Sequence, residues 1–325
     1  MESLCRQALQ SAGADPASCA SITTATIAAE RRGRGEVGAA HLLDYVRALR
    51  AGDLNGCPQP VISTSRLAVT QVDADRGAMQ RAFDEAVPGF VDRAQQIGVA
   101  VLSVHNAFSA GALSYYTQAV AERGLLAFAA SNVRPLMAAL GSVAPILGTN
   151  PMSFAIPHAD GPRLFDQASS VTAWVNVRDA AQRDETIPSG WAIDSRGEPT
   201  QDAHAALKGA LLTFGGVKGA NLAFMVELLA TLSSGAAKTP TSASPDREMD
   251  SPRLGLFVFA IDPAAFDLEY VERSEERVVD LAQRYRADFG RRKPPRETFE
   301  ISASVYSALL AAAGGFAGDD TEVAA

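Results

Sequence analysis

The first sixty residues carry the hydrophobic spacing of α-helices. Residues 3–10 follow a helical period, and Asp15 followed by Pro16 forms the cap and first-turn pair that opens a second helix, which runs toward residue 32. A third helix is predicted from residue 39 to residue 50. Its apolar residues recur at helical intervals and form one stripe, made of Leu42, Tyr45, Val46 and Leu49.

The middle of the chain changes to short apolar runs bounded by turn residues, which is the pattern of buried β-strands. Four such runs are predicted as strands, at residues 97–105, 124–132, 152–157 and 253–262. Helices are predicted at residues 111–123, 218–235, 272–286 and 306–313. The polar, proline-bearing tract 238–252 is predicted as a surface loop, and residues 318–325 as a frayed tail.

The composition is that of a globular protein, with 325 residues of which 47% are hydrophobic. A net charge of −8 argues against nucleic acid or an anionic membrane as the main partner, because both require a basic surface. Three distant cysteines without a CxxC pair fit a reduced, cytoplasmic protein, and four isolated histidines argue against a histidine-rich metal site. The polar first ten residues predict no signal peptide, and no apolar run approaches the ~20 residues of a membrane span.

Two glycine-bearing stretches are candidates for anion binding. In LGTNP, at residues 147–151, Gly148, Thr149 and Asn150 form a tight turn that offers backbone N–H, hydroxyl and amide groups. In FGGVKGANLAF, at residues 214–224, glycines surround a lysine at a predicted helix start, where free N–H groups and the positive helix end favour an anion. The residues concerned are Gly215, Gly216, Lys218 and Gly219. Taken singly, the first stretch fits an ordinary loop and the second fits close packing at a helix start.

Two further stretches indicate no particular chemistry by themselves. The segment DQASSVTAW, at residues 166–174, contains Asp166, Ser169 and Ser170. The segment IPSGWAIDSRGEPTQD, at residues 187–202, is predicted as a loop of turn residues.

The order of these stretches is more specific than any one of them. LGTNPMSFAIP, then DQASS, then IPSGWAIDSRGEPTQD, then GALLTFGGVKGANLAFMVELL resembles the malate/L-lactate dehydrogenase family of the second, non-Rossmann type. That family includes ureidoglycolate dehydrogenase and the reductases of cyclic imino acids such as piperideine-2-carboxylate and pyrroline-2-carboxylate. The resemblance covers residues 35–265, and the flanking helices fit it more loosely.

The resemblance implies an α/β fold with a largely antiparallel, non-Rossmann sheet that binds NAD(H) or NADP(H). It implies an N-terminal helical region, residues 1–60, that packs with C-terminal helices in residues 270–325. Residues 61–269 would form the NAD(P)-binding and substrate domain. It also implies a homodimer with active sites near the subunit interface.

The first departure from the family lies at the start of the third helix. The family usually has Ser-His-Gly and then an arginine before a Pro-x-Tyr-Val helix, whereas the matching segment here is EVGAAHLLDYV, at residues 36–46. Glu36 replaces the serine, Val37 the histidine and His41 the arginine. Glu36 either lines a pocket or pairs with a neighbouring arginine, and His41 either acts in the site or is solvated.

The second departure lies after the first predicted strand. The family has Asn-Ser-x-His-Phe-Gly, whose histidine is commonly the proton donor, and NAFSAG here places Ser109 at that histidine. Asn106 and Gly111 remain, and the resemblance assigns them to the cofactor site. Tyr115, at the start of the next helix, either completes the pocket or packs into the core.

The altered residues favour a substrate that needs little acid catalysis. Reduction of a ketone leaves an alkoxide, and loss of a positioned acid typically costs roughly 10²–10⁴ in rate. An iminium ion is already protonated, so hydride addition yields a neutral amine and the protein has chiefly to orient it. The leading interpretation is therefore an NAD(P)H-dependent imine reductase whose pocket contains Glu36, His41, Ser109 and Tyr115, acting on a small molecule in a biosynthetic or amino-acid-derived pathway.

Two alternatives remain open on sequence alone. One is a conventional 2-hydroxy-acid dehydrogenase that has rebuilt its acid from His41, and the other is an inactive cofactor-binding protein. NADPH is favoured over NADH because biosynthetic reductions usually draw on it. The basic cluster at residues 291–293 fits either a 2′-phosphate contact or a solvated charge run.

Overall fold

The computed structural model describes residues 1–139, 141–158, 161–232, 254–287 and 295–314. The predicted loop 238–252, the predicted tail 318–325 and the basic cluster 291–293 lie outside the described residues. The helices are α1 (Glu2–Ser11), α2 (Pro16–Arg31), α3 (Ala39–Ala51), α4 (Met79–Ile97), α5 (Ser114–Ala121), α6 (Trp174–Gln182), α7 (Ala203–Leu207), α8 (Val217–Ala230), α9 (Tyr270–Tyr285) and α10 (Ala303–Ala312). The strands are β1 (Val61–Arg66), β2 (Val69–Asp73), β3 (Val99–Ala107), β4 (Leu126–Ser131), β5 (Met152–Ile156), β6 (Arg163–Gln167), β7 (Ala192–Ile193), β8 (Pro199–Thr200), β9 (Ala210–Leu211) and β10 (Leu254–Ile261).

The predicted antiparallel, non-Rossmann sheet is confirmed. Seven strands follow the order β1-β2-β3-β10-β4-β5-β6, and among the described strands the pair β2–β3 alone runs parallel. Strand β10, which comes last in the chain, pairs with β3 on one side and β4 on the other. It thereby fills the centre of the sheet beside β3, which carries the candidate site residue Asn106 near its end.

Alternating side chains on the central strands supply two separate apolar layers. On one face, residues such as Leu102 and Val258 pack with Phe83 and Phe90 of α4. On the other face, Phe257 and its neighbours pack against α8. The sheet therefore lies between helices α4 and α5 on one side and α8 on the other.

A helical cluster forms a third body of the core. Helices α1, α2, α3 and α10 bury a shared apolar interior that includes Cys5, Leu9, Leu42 and Leu309. The C-terminal helix α10 thus packs on the N-terminal helices, while α9 contacts the sheet edge through the Arg163–Glu275 ion pair. The predicted domain boundaries stay a prediction.

The prediction of residues 187–202 as a plain loop is wrong. They contain β7 and β8, which pair across the turn at Gly197, and β9 completes a three-stranded sheet. Strands of two residues are too short to show a hydrophobic period, so the sequence gives no signal for them. The predicted helix at 111–123 begins only at Ser114, which leaves residues 111–113 as a loop.

The start of α3 is held by a buried carboxylate from α2. The Glu30 carboxylate is 6% exposed and accepts a hydrogen bond from the backbone N–H of Ala39 at 2.7 Å. A β-carbon at Gly38 would lie 2.3 Å from the Glu30 carboxylate oxygen, so glycine is needed where the carboxylate passes. Glu30 therefore caps the helix that presents His41.

Among the described helices, none combines enough length and apolarity to cross a membrane.

Replacement of Glu30 by alanine is expected to lower the free energy of unfolding by about 1–3 kcal/mol, because it leaves the buried Ala39 N–H without its partner. Urea unfolding followed by circular dichroism measures the loss. Glu2→Ala is the control, since Glu2 pairs with Arg6 at the surface with 61% of its side chain exposed. That exposed pair is expected to contribute less than about 1 kcal/mol. Equal losses in the two variants would contradict the capping role.

Candidate active site

The imidazole of His41 lies between a carboxylate and a hydroxyl. Its Nδ1 is 2.7 Å from Oδ2 of Asp44, one turn further along α3, and its Nε2 is 2.7 Å from Oγ of Ser109. The His41 side chain is 21% exposed, so it is not the solvated surface group that the sequence allowed. Ser109, at the position of the family's histidine, is thus hydrogen-bonded to a histidine that α3 supplies.

The Asp44 carboxylate is held in its charged form. Burial by itself raises its pKa, but the hydrogen bond and charge of His41 and the charge of Arg47 lower it, and the net shift is downward. Arg47 also contacts the Asp44 carboxylate directly. A charged acceptor at Nδ1 favours the tautomer that carries a proton on that nitrogen.

A buried polar network, formed by Tyr45 and Gln80, holds the loop after β3 through its carbonyl groups. The hydroxyl of Tyr45 donates to the carbonyl of Ser109 at 3.3 Å, and Gln80 donates to the Tyr45 hydroxyl at 2.9 Å and to the carbonyl of Ala110 at 3.1 Å. Burial raises the pKa of Tyr45 to about 12, so the phenol stays a donor. A β-carbon at Gly111 would lie 3.0 Å from the Gln80 amide, which suits glycine at this turn.

Ser109 itself has a strained backbone. Its φ is +30°, in the left-handed region that non-glycine residues rarely adopt. Such conformations persist when surrounding contacts hold them, and they concentrate at functional sites. Here the contacts are the hydrogen bonds to the Ser109 carbonyl and hydroxyl.

A second polar cluster surrounds Asp166. Its carboxylate accepts a hydrogen bond from the backbone N–H of Ser114 at 2.9 Å, and its carbonyl accepts one from Arg34 at 3.1 Å. Burial raises the pKa of the Asp166 carboxyl, and the charge of Arg34 only partly opposes this shift. Arg34 also binds the carboxylate of Glu36. The alternative that Glu36 pairs with a neighbouring arginine is therefore what the structure shows.

The three glycine- and serine-bearing stretches meet in one place. The backbone N–H of Ser169 donates to the carbonyl of Thr149 at 2.7 Å, and the Ser169 hydroxyl donates to the carbonyl of Asn150 at 2.7 Å. The N–H of Phe214 in turn donates to the carbonyl of Ser169 at 3.1 Å. We call the joined segments, residues 148–150, 169–170 and 213–219, the glycine platform.

Asn150 attaches the platform to α8. Its side-chain amide donates to the carbonyl of Ala223 and to the carboxylate of Glu227, both at 2.9 Å, and its φ is +36°. The amide oxygen of Asn150 is buried and has no hydrogen-bond partner within the protein. A β-carbon at Gly148 would lie 2.3 Å from the carbonyl of Val133, so the turn tolerates glycine alone at that point.

The platform ends at the N-terminus of α8, which is open. Gly215 and Gly216 have φ values of +59° and +60°, and a β-carbon at either would meet nothing within 4 Å. No side chain caps the helix, and Lys218 in its first turn is exposed. Free N–H groups, the positive end of a 14-residue helix and a lysine therefore converge, as an anion site requires.

Two predicted site residues lie apart from these clusters. Tyr115 packs against Phe83 in the core and donates its hydroxyl to Asp84 of α4 at 2.7 Å. Burial and the charge of Asp84 raise the pKa of that hydroxyl. Asn106 donates to Asp73 at 2.8 Å near the end of β3. Their proposed roles in catalysis and cofactor binding stay predictions.

The sequence analysis missed Asp44, Gln80 and Arg34 as parts of the site. Asp44 lies three residues after His41, an interval that places two side chains on the same face of a helix, so this signal was present. Gln80 reaches the site from α4, and only the packing of α4 beneath α3 and the loop reveals it.

Comparison with known proteins agrees with the family resemblance. The profile of the malate/L-lactate dehydrogenase family matches residues 1–294. The Δ1-pyrroline-2-carboxylate/Δ1-piperideine-2-carboxylate reductase of Pseudomonas aeruginosa is 34% identical over 302 residues, which are 89% of this chain and 90% of that protein. The (2R)-3-sulfolactate dehydrogenase (NADP(+)) of Chromohalobacter salexigens is 33% identical over 276 residues, 84% of this chain and 83% of that protein.

Solved structures give the same result. The crystal structure of Δ1-piperideine-2-carboxylate reductase from Pseudomonas syringae pvar. tomato superposes with a TM-score of 0.88 at 30% identity, covering 96% of this chain and 97% of that one. The chain therefore belongs to the malate/L-lactate dehydrogenase family, a family of oxidoreductases.

Replacement of Gly219 by alanine is expected to disrupt the glycine platform, because its β-carbon would lie 1.8 Å from the carbonyl oxygen of Phe214. We expect a loss of several kcal/mol in the free energy of unfolding, as for other overpacked sites with no room to relax. Gly89→Ala in α4 is the matched control, since a β-carbon there meets nothing within 4 Å. It is expected to stabilise the protein by about 0.5–1 kcal/mol through helix propensity. Thermal and urea unfolding measure both, and a neutral Gly219→Ala would contradict the close approach.

Proposed function

We infer that the protein is an NAD(P)H-dependent reductase that delivers hydride to the C=N bond of a small cyclic imine or iminium ion. The observation that carries this proposal is the match, over about nine-tenths of both chains, to a relative named for reduction of two cyclic imines. The hydrogen-bonded pair of His41 and Ser109 supports it chemically, because it offers a polar contact of adjustable charge to a ring nitrogen.

The residues of the glycine platform fit a nicotinamide dinucleotide. The uncapped helix start with Lys218 suits a phosphate, and the partnerless amide oxygen of Asn150 is an acceptor for a ligand N–H or O–H. When bound, the cofactor supplies a hydride. Gly148, Thr149, Ser169 and Ser170 shape the platform, and Gly215, Gly216 and Gly219 keep its helix start open. We propose NADPH as the cofactor, with NADH as the alternative.

The pairing of Glu36 with Arg34 changes the expected electrostatics of the pocket. A free carboxylate would attract an iminium ion and repel a carboxylate-bearing substrate, whereas a paired one does neither strongly. A substrate that carries both an iminium nitrogen and a carboxylate is therefore compatible with this site. Such a substrate has the chemistry named for the P. aeruginosa relative.

The proposal predicts that the purified protein oxidises NADPH in the presence of five- and six-membered cyclic imines with a 2-carboxylate. The turnover number is expected in the ordinary range of about 1–10³ s⁻¹. Absorbance at 340 nm follows the reaction, with NADH tested in parallel to establish cofactor preference. Pyruvate, oxaloacetate and 3-sulfopyruvate are the matched C=O substrates. Turnover of keto acids with no turnover of imines would contradict the proposal.

A 2-hydroxy-acid dehydrogenase is the second candidate. The observation in its favour is the His41–Ser109 hydrogen bond, which places an imidazole beside the position where the family's proton donor is expected. Reduction of a ketone requires such a donor. The sulfolactate dehydrogenase relative is named for this type of reaction.

We propose that the protein is a homodimer joined through the outer face of α8. One side of this helix is buried on the sheet, yet large apolar residues also line the opposite side and its C-terminal end: Phe224, Met225, Leu228 and Leu232, between 39% and 61% exposed. A helix that is apolar on all sides is normally buried on all sides. Because α8 starts at the glycine platform, this interface would adjoin the cofactor site.

Light scattering after size-exclusion chromatography is expected to give twice the chain mass of 34.1 kDa. Leu228→Lys is expected to shift the protein toward the monomer, because it places a charge in the centre of the apolar face. Leu67→Lys is the control, since Leu67 is 77% exposed in the β1–β2 turn and outside this face. A monomeric wild type, or equal behaviour of both variants, would contradict the interface.

A further inference from the structure

We propose that Asp44, His41 and Ser109 form a proton relay that ends on the Ser109 hydroxyl and delivers a proton to the substrate atom next to the reduced carbon. Ser109 is the catalytic residue that touches the substrate, His41 recharges it, and Asp44 is a positioning residue. The inference rests on the proposed reduction of a C=N bond and names its proton source.

The donor and acceptor roles in these hydrogen bonds support proton transfer from His41 to Ser109 and from Ser109 to the substrate. The Asp44 carboxylate can only accept when charged, so the His41 Nδ1 carries a proton, and the second nitrogen points at the Ser109 hydroxyl. When His41 is protonated, Nε2–H donates to Ser109 Oγ, and the hydroxyl proton of Ser109 is then free to point elsewhere. The N–H of Gly111, at 3.4 Å from Oγ, is a weak further donor to the same oxygen. An oxygen that receives such donors is itself available to donate.

Contacts from α3 and α4 hold the His41 ring and the Ser109 loop in place. The His41 ring meets the edge of Tyr45 with centroids 5.1 Å apart, and Tyr45 and Gln80 hold the carbonyl side of the Ser109 loop. The left-handed backbone of Ser109 aims its side chain at α3 in spite of the strain. A serine that only filled space would need neither the strained backbone nor an imidazole 2.7 Å away.

Asp44 is the charged group in direct contact with His41, and the charges of two arginines act on its carboxylate. Arg47 lies on α3 like Asp44, and Arg178 lies on α6. Ser109, Tyr45 and Phe108 contribute no formal charge. Partial exposure of His41 lets solvent return the proton after each turnover.

The chemical step balances without a further reactant. The hydride adds two electrons to the imine carbon as the C=N π bond breaks onto nitrogen. The nitrogen then takes the Ser109 hydroxyl proton, Ser109 takes a proton from His41 Nε2, and His41 takes one from water. A substrate whose nitrogen is already protonated bypasses these transfers, so the relay extends the reaction to the neutral imine present at higher pH.

Two substrates, one that needs a proton and one that does not, distinguish proton delivery from any other role of His41 and Ser109. The N–H form of a cyclic imine needs a proton at neutral and alkaline pH, whereas the N-methylated iminium ring of the same size needs none. We expect His41→Gln and Ser109→Ala to lower kcat for the N–H imine by roughly 10²–10⁴ at alkaline pH. Both variants should keep kcat for the N-methylated ring close to that of the wild type, and should recover on the N–H imine at acidic pH.

The tautomer of the imidazole provides a readout that does not depend on turnover. In cofactor-free protein, nitrogen NMR of labelled histidine should show a proton on Nδ1 of the neutral His41 ring, and Asp44→Asn should remove that preference because the charged acceptor at Nδ1 is lost. The alkaline limb of the pH–rate profile for the N–H imine should move to lower pH in the same variant. Exposed His204, 2.9 Å from Asp184, is the matched histidine–carboxylate pair outside the site. His204→Gln should leave the pH–rate profile unchanged.

Each contrary outcome has a distinct meaning. Equal losses on both substrates in His41→Gln and Ser109→Ala would show a structural role and overturn the relay. An unchanged His41 tautomer in Asp44→Asn would also overturn it. Failure of the wild type to reduce either ring would refute the proposed function instead, and the NMR measurement would still decide whether Asp44 orients the His41 ring.

Discussion

The hydrogen bond between His41 and Ser109 joins the two halves of this protein. His41 belongs to the helical cluster of α1, α2, α3 and α10, and Ser109 belongs to the loop that follows the central strand β3. A hydrogen bond of 2.7 Å between these parts fixes both the position and the rotation of α3 relative to the sheet. The Glu30 cap, the Tyr45 hydroxyl and the Gln80 amide all serve to maintain that placement.

The same loop couples this pair to the glycine platform. Ser109 lies at its start and Ser114 at its end, and the N–H of Ser114 binds Asp166. Three residues beyond Asp166, Ser169 bonds to the turn that contains Asn150. Hydrogen bonds, joined by the short chain segments 109–114 and 166–169, therefore connect Asp44 to the segment before α8. The His41–Ser109 pair and the glycine platform are therefore held at fixed positions relative to each other. Catalysis by orientation of two reacting molecules requires such fixed positions.

Much of the fold was predictable from the sequence, because its elements show strong periodicity. The apolar residues of α1 and α3 recur at helical intervals, Asp15 caps α2, and the four apolar runs became β3, β4, β5 and β10. The strand order was not predictable, because no local sequence pattern indicates that β10 inserts between β3 and β4. The two-residue strands β7 and β8 also leave no pattern.

The site was predictable in its members but not in its connections. Glu36, His41 and Ser109 were singled out because each replaces a residue expected from the family resemblance. The sequence left open whether Glu36 pairs with a neighbouring arginine, and it could not show that His41 would reach Ser109 across 68 residues of chain. The contact between His41 and Ser109 depends on how α3 packs against the loop after β3, and no single segment encodes that relation.

The loss of a histidine from a sequence position does not remove an imidazole from a site. Judged by position alone, Ser109 indicates a reductase without an acid, suited only to an electrophile that arrives protonated. In three dimensions, an imidazole from α3 is hydrogen-bonded to the hydroxyl at that position. In the relay that we propose, the smaller group lies against the substrate, which leaves room for a ring, and the imidazole lies where solvent can recharge it. The proton beside the reduced carbon would then come from residues other than the family's histidine, and the substrate that fits would depend on the space that this exchange creates.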